Sequence, residues 1–377
     1  MASRGKSDRG LTEKSARPAR KFRAANVDDI GTSLPQLYPL QREDVVKAER
    51  RLFQENKKGM LFTNGTGTGK TFTGLGIIRR QVDRGKKDIL VLVPTDAKAK
   101  DWIEDGRKLG LDIHQLRNTR DAGRGVSVTT YANFGANEAV MSRAWDMVMP
   151  DESHRLMSGQ NAEPTAALKR FRVLTAKDGW RAGEALYQRD PDAVKLEEQK
   201  RRMKTAIFAK ALKQNGGHRG RADETARDEV REVFGEREQA IRSRYRRPAL
   251  PEDTSDTAAM ERHEAETAAH EQRITDEVAR PRAVFLSASP FAYHYTLDYA
   301  DGYLFDFDDY GTASPSGYNQ PSGRSAFYMQ NFGYTMAYNK LTRPEAGVDQ
   351  NLMERAFFET LRETGAVSGR QIEVDAD

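Results

Sequence analysis

The sequence predicts an α/β fold: a parallel sheet with helices on both faces, interrupted by a charged helical insertion. Three observations carry this prediction. Short apolar runs alternate with stretches of helical spacing in the first part of the chain, the pattern of strands joined by crossover helices. A glycine-rich turn, "NGTGTGKT" at residues 64–71, separates one such run from the helix pattern that follows. A segment dense in both signs of charge then intervenes before another apolar strand pattern, "AVFLSASP", starts at Ala283.

The 377 residues are 37% hydrophobic and 31% charged, with no cysteine and a mean hydropathy of −0.78. That is enough apolar material for a core, with solvated helix or disorder beside it. The lack of cysteine excludes disulfides and thiolate metal sites and fits a reducing cytoplasm. No apolar run reaches the length of a membrane span. The net charge of +5 is concentrated at the start. Residues 1–25 hold eight Lys/Arg against two Asp/Glu, leaving 53 basic and 54 acidic residues in the remainder. Residues 1–30 therefore read as a basic, disordered tail, either a solubilising extension or an arm for nucleic-acid phosphates.

Residues 37–54, "LYPLQREDVVKAERRLFQ", have helical spacing. "GMLFTN" reads as a short buried strand entering the glycine turn, and "TFTGLGIIRRQVDRG" as a helix stopped at Gly85. "KDILVLVPT" reads as a buried strand and "AKAKDWIEDGRKLG" as the next helix; "VSVTTYANF" and "WDMVMPDE" follow as two further β-rich runs. Pro150 cannot donate to a ladder, so the last of these must be unpaired on one side at its end. Residues 31–176 thus form the sheet-bearing unit. Residues 177–282, with 23 basic and 22 acidic residues, read as an inserted helical arm. The return strand occupies residues 283–290. The aromatic-rich remainder, 291–377, holds 14 of the 29 Tyr and Phe within residues 291–338 and closes with a helix, "LMERAFFETLRETG", capped by Gly365.

The glycine turn has the chemistry of a phosphate site. Glycines let backbone N–H groups approach phosphate oxygens at the positive end of the following helix. Gly65, Thr66, Gly67, Thr68 and Gly69 form the cradle, Lys70 supplies a point charge for the β/γ-phosphates, and the Thr71 hydroxyl is placed for Mg²⁺. The strict pattern has glycine at the position of Asn64, which shapes the entrance of the loop. In "DESH", residues 151–154, an acidic pair ends a buried strand: Asp151 can hold Mg²⁺ and Glu152 can orient and activate a water. The histidines at 114, 218, 263 and 270 have no metal-ligand spacing and read as surface residues. The aromatic stretch could stack unpaired bases, but Asp298, Asp301, Asp306, Asp308 and Asp309 would repel phosphates, which favours ordinary packing.

These motifs, in this order, resemble the first RecA-like lobe of a superfamily 2 helicase or translocase of the DEAD/DEAH-box type. "LYPLQ" resembles the stretch whose glutamine reads adenine, here Gln41. "NGTGTGKT" resembles motif I, "LVPT" at 92–95 motif Ia, "VTTYANF" the motif Ib region of duplex-DNA translocases, and "DESH" motif II. "SAS" at 287–289 resembles motif III, which couples hydrolysis to movement. The closing "FFETLRETGAVSGRQIEV" resembles strawberry-notch-like helicases of phages and mobile elements. The resemblance implies a P-loop NTPase lobe that binds ATP and Mg²⁺ and acts on nucleic acid, DNA before RNA. In it His154, Ser287 and Ser289 would relay the state of the γ-phosphate. Two departures stand out. The insertion lengthens the interval between motifs II and III, and nothing after residue 289 resembles motifs IV to VI with their arginine finger. The implied partner is a second RecA-like lobe on another chain. The alternative is a catalytically silent accessory subunit that binds ATP or DNA. An unrelated P-loop ATPase is disfavoured by the Gln41 region and "SAS".

Overall fold

The structure is a computed structural model and describes residues 22–64, 69–156, 164–177, 179–214, 216–288, 294–311, 323–338 and 340–369, with backbone alone at 294–296. Residues 1–21 of the basic tail, the turn residues Gly65, Thr66, Gly67 and Thr68, and Ser289 lie outside the described residues.

Two helices, α1 (Val27–Ser33) and α2 (Pro39–Glu49), precede strand β1 (Gly59–Phe62). Then follow α3 (Lys70–Asp83), β2 (Ile89–Val93), α4 (Asp96–Lys108), β3 (Ile113–Gln115), β4 (Val126–Thr130), α5 (Tyr131–Ala136) and β5 (Met147–Pro150). After α6 (Ala166–Leu174) come four helices of the charged segment: α7 (Gly179–Arg189), α8 (Pro191–Gln214), α9 (Arg219–Ser243) and α10 (Thr257–Glu277). Strand β6 (Arg282–Leu286) returns to the sheet, and α11 (Gly323–Phe332), the hairpin β7 (Thr335–Ala337) and β8 (Lys340–Thr342), α12 (Gln350–Glu363) and β9 (Val367–Ser368) complete the described chain.

Among the described residues the main sheet has seven strands, all parallel, in the order β3-β4-β2-β5-β6-β1-β9. Helices cover both faces, as strands buried on both sides require. Alternate residues of β2 face opposite ways. Ile89, Val91 and Val93 join a core with α1 to α4, while Leu90 and Leu92 join a core with α5, α6, α11 and α12. Helix α3 lies close on the sheet because Gly74 has no side chain; a Cβ there would meet Trp102 at 2.7 Å and Met149 at 2.8 Å. Pro150 pairs with Leu92 of β2, while the β5–β6 ladder lapses after Val148 and resumes at Asp151, opposite Leu286. The missing proline N–H falls in that gap.

One expectation is corrected locally. The run "VSVTTYANF" is a strand only to Thr130, whose hydroxyl accepts from the Asn133 N–H and opens α5 at Tyr131. An N-cap threonine overrides the β-propensity of the aromatic residues behind it.

The four helices of the insertion pack through two small apolar clusters. Tyr187, Leu196, Phe234 and Ile241 belong to one, Ala182, Ala185, Ile274 and Val278 to the other. The aromatic-rich segment folds back on the sheet: Tyr299 and Tyr303 pack on Phe285 of β6 at centroid distances of 5.3 and 6.0 Å. Phe305 stacks on Phe327 at 4.5 Å, and Phe357 of α12 closes the cluster. These rings are core rather than an exposed stacking surface. The last described strand, β9, lies against β1, with the Thr63 N–H donating to the Ser368 carbonyl at 2.8 Å.

Candidate nucleotide site

In open parallel sheets, ligands bind beyond the carboxyl ends of the strands. Here β1, β5 and β6 end side by side, and the candidate residues follow each of them: Asn64 to Thr71 after β1, Asp151 to His154 after β5, and Ser287 after β6.

Gln41 lies on the first turn of α2, buried, and ties that turn to the end of the glycine loop. Its Oε1 accepts from the Tyr38 N–H at 2.9 Å and its Nε2 donates to the Gly69 carbonyl at 3.3 Å. Gly69 has φ +78°, and a Cβ there would stand 2.2 Å from Gln41 Nε2. The left-handed conformation favours glycine at this point. Asn64, at the loop entrance, is buried; its Nδ2 donates to Asp44 Oδ2 at 2.8 Å. Asp44 also accepts from the Ser368 hydroxyl at 3.4 Å, so α2, the loop entrance and β9 share one carboxylate.

Lys70 opens α3 and is nearly enclosed. Its Nζ donates to the Asn64 carbonyl at 2.8 Å. Burial lowers its pKa, partly offset by the carboxylates of Glu152 and Asp151, while the Lys98 ammonium lowers it further. The ammonium has three donors, and the bond to Asn64 takes one of them. The Thr71 hydroxyl accepts from Lys98 Nζ at 3.3 Å.

Asp151 is buried at the tip of β5. Trp102 Nε1 donates to its Oδ2 at 2.8 Å and the Tyr131 hydroxyl donates to its carbonyl at 2.8 Å. Burial raises its pKa, opposed by the Trp102 bond and the charge of Lys98. A cation at this point would relieve that burial. Glu152 follows with φ +54°, a left-handed conformation that costs a non-glycine residue roughly 1–2 kcal/mol. The turn re-aims its side chain away from the strand direction, and its Oε2 lies 3.4 Å from His154 Nδ1. The same Nδ1 is 3.2 Å from Ser287 Oγ, which joins the end of β5 to the end of β6.

His154 thus contacts both Glu152 and Ser287, while Thr71 and Asp151 are held from α4 by Lys98 and Trp102. Sequence reasoning singled out neither of the latter two, nor Asp44 and Tyr131. Lys98 and Trp102 are four residues apart on α4, one face of one helix, and Asp44 lies one turn beyond Gln41 on α2. Those spacings were the available signal. Of the histidines, His114 is half-buried and bonds Asp121 at 2.7 Å, so it is no free surface residue. Among the described residues no cluster of three or more His, Asp or Glu stands ready for a metal. Mg²⁺ does not need one. It takes one or two protein oxygens and completes its octahedron with phosphates and water, and the Thr71 hydroxyl and Asp151 carboxylate are hard oxygen donors of that kind.

The parallel seven-stranded sheet with helices on both faces is that of a RecA-like α/β lobe. Residues 35–176 match the family model described as type III restriction enzyme, res subunit, a helicase-like lobe of this class. The match spans α2 to the residues after α6, and so contains Gln41, the glycine loop, Asp151 and Glu152. No curated protein matches the chain. Among the described residues no helix is long and apolar enough to cross a membrane.

Proposed function

We propose that this chain is the ATP-binding lobe of a DNA helicase or translocase, working in the cytoplasm with a second RecA-like lobe supplied by another chain. One observation carries this reading: Lys70, Thr71, Asp151 and Glu152 gather at the ends of neighbouring strands, and a His154–Ser287 contact leads away from them. Lys70 neutralises the β/γ-phosphates of ATP. Thr71 and Asp151 would hold Mg²⁺, which when bound offsets the charge that develops between those phosphates. Glu152 orients the attacking water and accepts its proton. His154 and Ser287, with Ser289 beyond them, relay the state of the γ-phosphate to the nucleic-acid face. The closing residues support kinship with strawberry-notch-like helicases of phages and mobile elements.

The need for a second lobe is supported by the way residues 294–369 pack. Among the described residues they cover the one large sheet and add an edge strand to it. In this mechanism the partner lobe supplies an arginine to the transition state, an effect worth roughly 10³–10⁵ in rate in related phosphoryl-transfer systems. The same packing favours the second reading, an accessory subunit that binds ATP or DNA and is silent on its own. The deciding measurement is ATP turnover and strand separation by the purified chain, with and without single- and double-stranded DNA, alone and with a second-lobe polypeptide. The chain alone should bind ATP-Mg²⁺, hydrolyse it very slowly and separate no strands. Restored, DNA-stimulated turnover with the partner supports the helicase reading. Robust unwinding by the chain alone overturns the requirement for a partner.

A further inference from the structure

The insertion carries a feature that the nucleotide site does not use. Trp180, at the start of α7, is 66% exposed, whereas Trp102 and Trp145 are buried. It borders a cavity of about 320 Å³ between α7, the end of α9 and α10. Tyr187 and Tyr245 line the cavity, with Arg242, Arg246 and Arg247 as its cations and Glu184 and Glu271 as its acids. The chain that forms this rim, "RSRYRRP" at residues 242–248, interleaves four arginines with one tyrosine and contains no acid.

Some of these cations are already engaged. Arg242 pairs with Glu184 and Glu238, and Arg247 with Glu271. Arg246 has no hydrogen bond or ion pair among the described residues, and Arg181 has only the face of Trp180, at 5.2 Å. Beyond Arg181 lies a second cavity, of about 230 Å³, lined by Arg172, Lys177 and Arg324 together with Asp298 and Asp301. Burial lowers the pKa of Arg172, and although Asp298 opposes this, the charges of Arg181 and Arg324 lower it further. Asp298 already answers this charge, bonding Arg172 at 2.7 Å and Arg324 at 2.9 Å, while Asp306 and Asp308 hold Lys177.

The first turn of α7 therefore sets an exposed indole and an arginine between two hollows lined by charges of both signs. Cations alone would suit any polyanion. The exposed ring narrows the class, because unpaired bases stack on aromatic faces while the phosphates between them lie along cationic grooves. A duplex hides its base faces and offers nothing to Trp180. The first cavity has the volume of a small-ligand site, the scale of a nucleotide unit rather than of a double helix.

The geometry points to a single-stranded nucleic-acid site on the insertion, separate from the nucleotide site, with Trp180 as the stacking platform and Arg181 and Arg246 as phosphate contacts. It rests on the reading of the lobe as a nucleic-acid motor and adds a second place where that motor grips its strand.

The test uses the full chain, a fluorescein-labelled oligo-dT, the matching duplex and a fluorescent ATP analogue. The single strand should bind more tightly than the duplex. Trp180→Ala should weaken it about tenfold, and Trp180→Phe should restore most of the loss. Replacing Arg181 and Arg246 together by Ala should weaken binding and flatten the logarithmic salt slope by about 1.4, or about 0.7 for each lost phosphate contact. Unchanged binding of the ATP analogue in all these variants shows that the fold is intact. Oligo-dT affinity that survives both substitutions while the analogue still binds overturns the site and leaves the lobe reading standing. A poly-glutamate peptide bound as tightly as the strand overturns the nucleic-acid assignment in favour of an acidic protein partner. A wild-type chain that binds neither nucleotide nor strand overturns both readings.

Discussion

The Asn64 side chain donates to the Asp44 carboxylate at 2.8 Å, and both groups are buried. A residue that departs from the usual glycine at the loop entrance is thereby pinned to α2, and its carbonyl in turn holds Lys70. Asp44→Ala leaves the Asn64 amide without this acceptor and the Ser368 hydroxyl with Lys47 alone, a change that costs about 1–3 kcal/mol when a buried donor goes unpaired. The midpoint of urea unfolding should fall by a corresponding amount with the slope unchanged, and ATP affinity should fall with it. A midpoint equal to that of the wild type would show that the pair contributes nothing to the loop.

Lys70→Ala deletes the main point charge offered to the β/γ-phosphates. ATP affinity should drop at least tenfold, on the order of 1.4 kcal/mol. Titration with a fluorescent ATP analogue reads this directly, and equal affinities would place the nucleotide elsewhere.

Glu152→Gln keeps the size and hydrogen bonding of the side chain but cannot accept a proton. Nucleotide should bind as in the wild type while turnover, measured with the partner lobe present, falls steeply. Equal turnover in the two proteins would remove Glu152 from the chemistry.

Asp301 gives a pH signature. Burial pushes its pKa up to about 6, against the Phe307 N–H bond and the Lys177 charge, which act to lower it. The folded chain holds this proton more tightly than the unfolded one. The resulting stability is full below the ordinary value of 3.8 and is lost as pH rises through about 6. Asp301→Asn does not titrate, so its stability relative to wild type should rise between about pH 4 and pH 7 and level off above. Urea midpoints across that range decide it, and a difference that does not vary with pH would refute the assignment.

The central strands β1, β2 and β5 were legible because they are short apolar runs bounded by turns or caps, as in "ILVLV". Lys70, Thr71, Asp151 and Glu152 were legible because their spacing follows strand ends. What escaped depends on contacts distant in sequence. The two residues of β9 carry too little pattern to signal a strand, and only pairing with β1 makes them one. Trp102 reads as one apolar residue of an amphipathic helix until Asp151 is seen to need its N–H. Asp44 looks like an ordinary helix-surface acid. Its burial follows from Asn64 and Ser368, which arrive from two other elements.

The pairing of β1 with β9 has a consequence for synthesis. The strand that launches the phosphate loop acquires β6 and β9 as neighbours only late in the chain, and the contact of Arg51 with the Thr364 carbonyl spans 313 residues. As the polypeptide leaves the ribosome, β1, α3 and β2 emerge early and wait, with apolar edges unpaired, while the whole helical arm is made. Contacts of such separation slow folding and prolong the exposure of unpaired strands. The arm, whose helices pack locally, can form in the meantime, so β1, a strand made before the arm, is completed only after it.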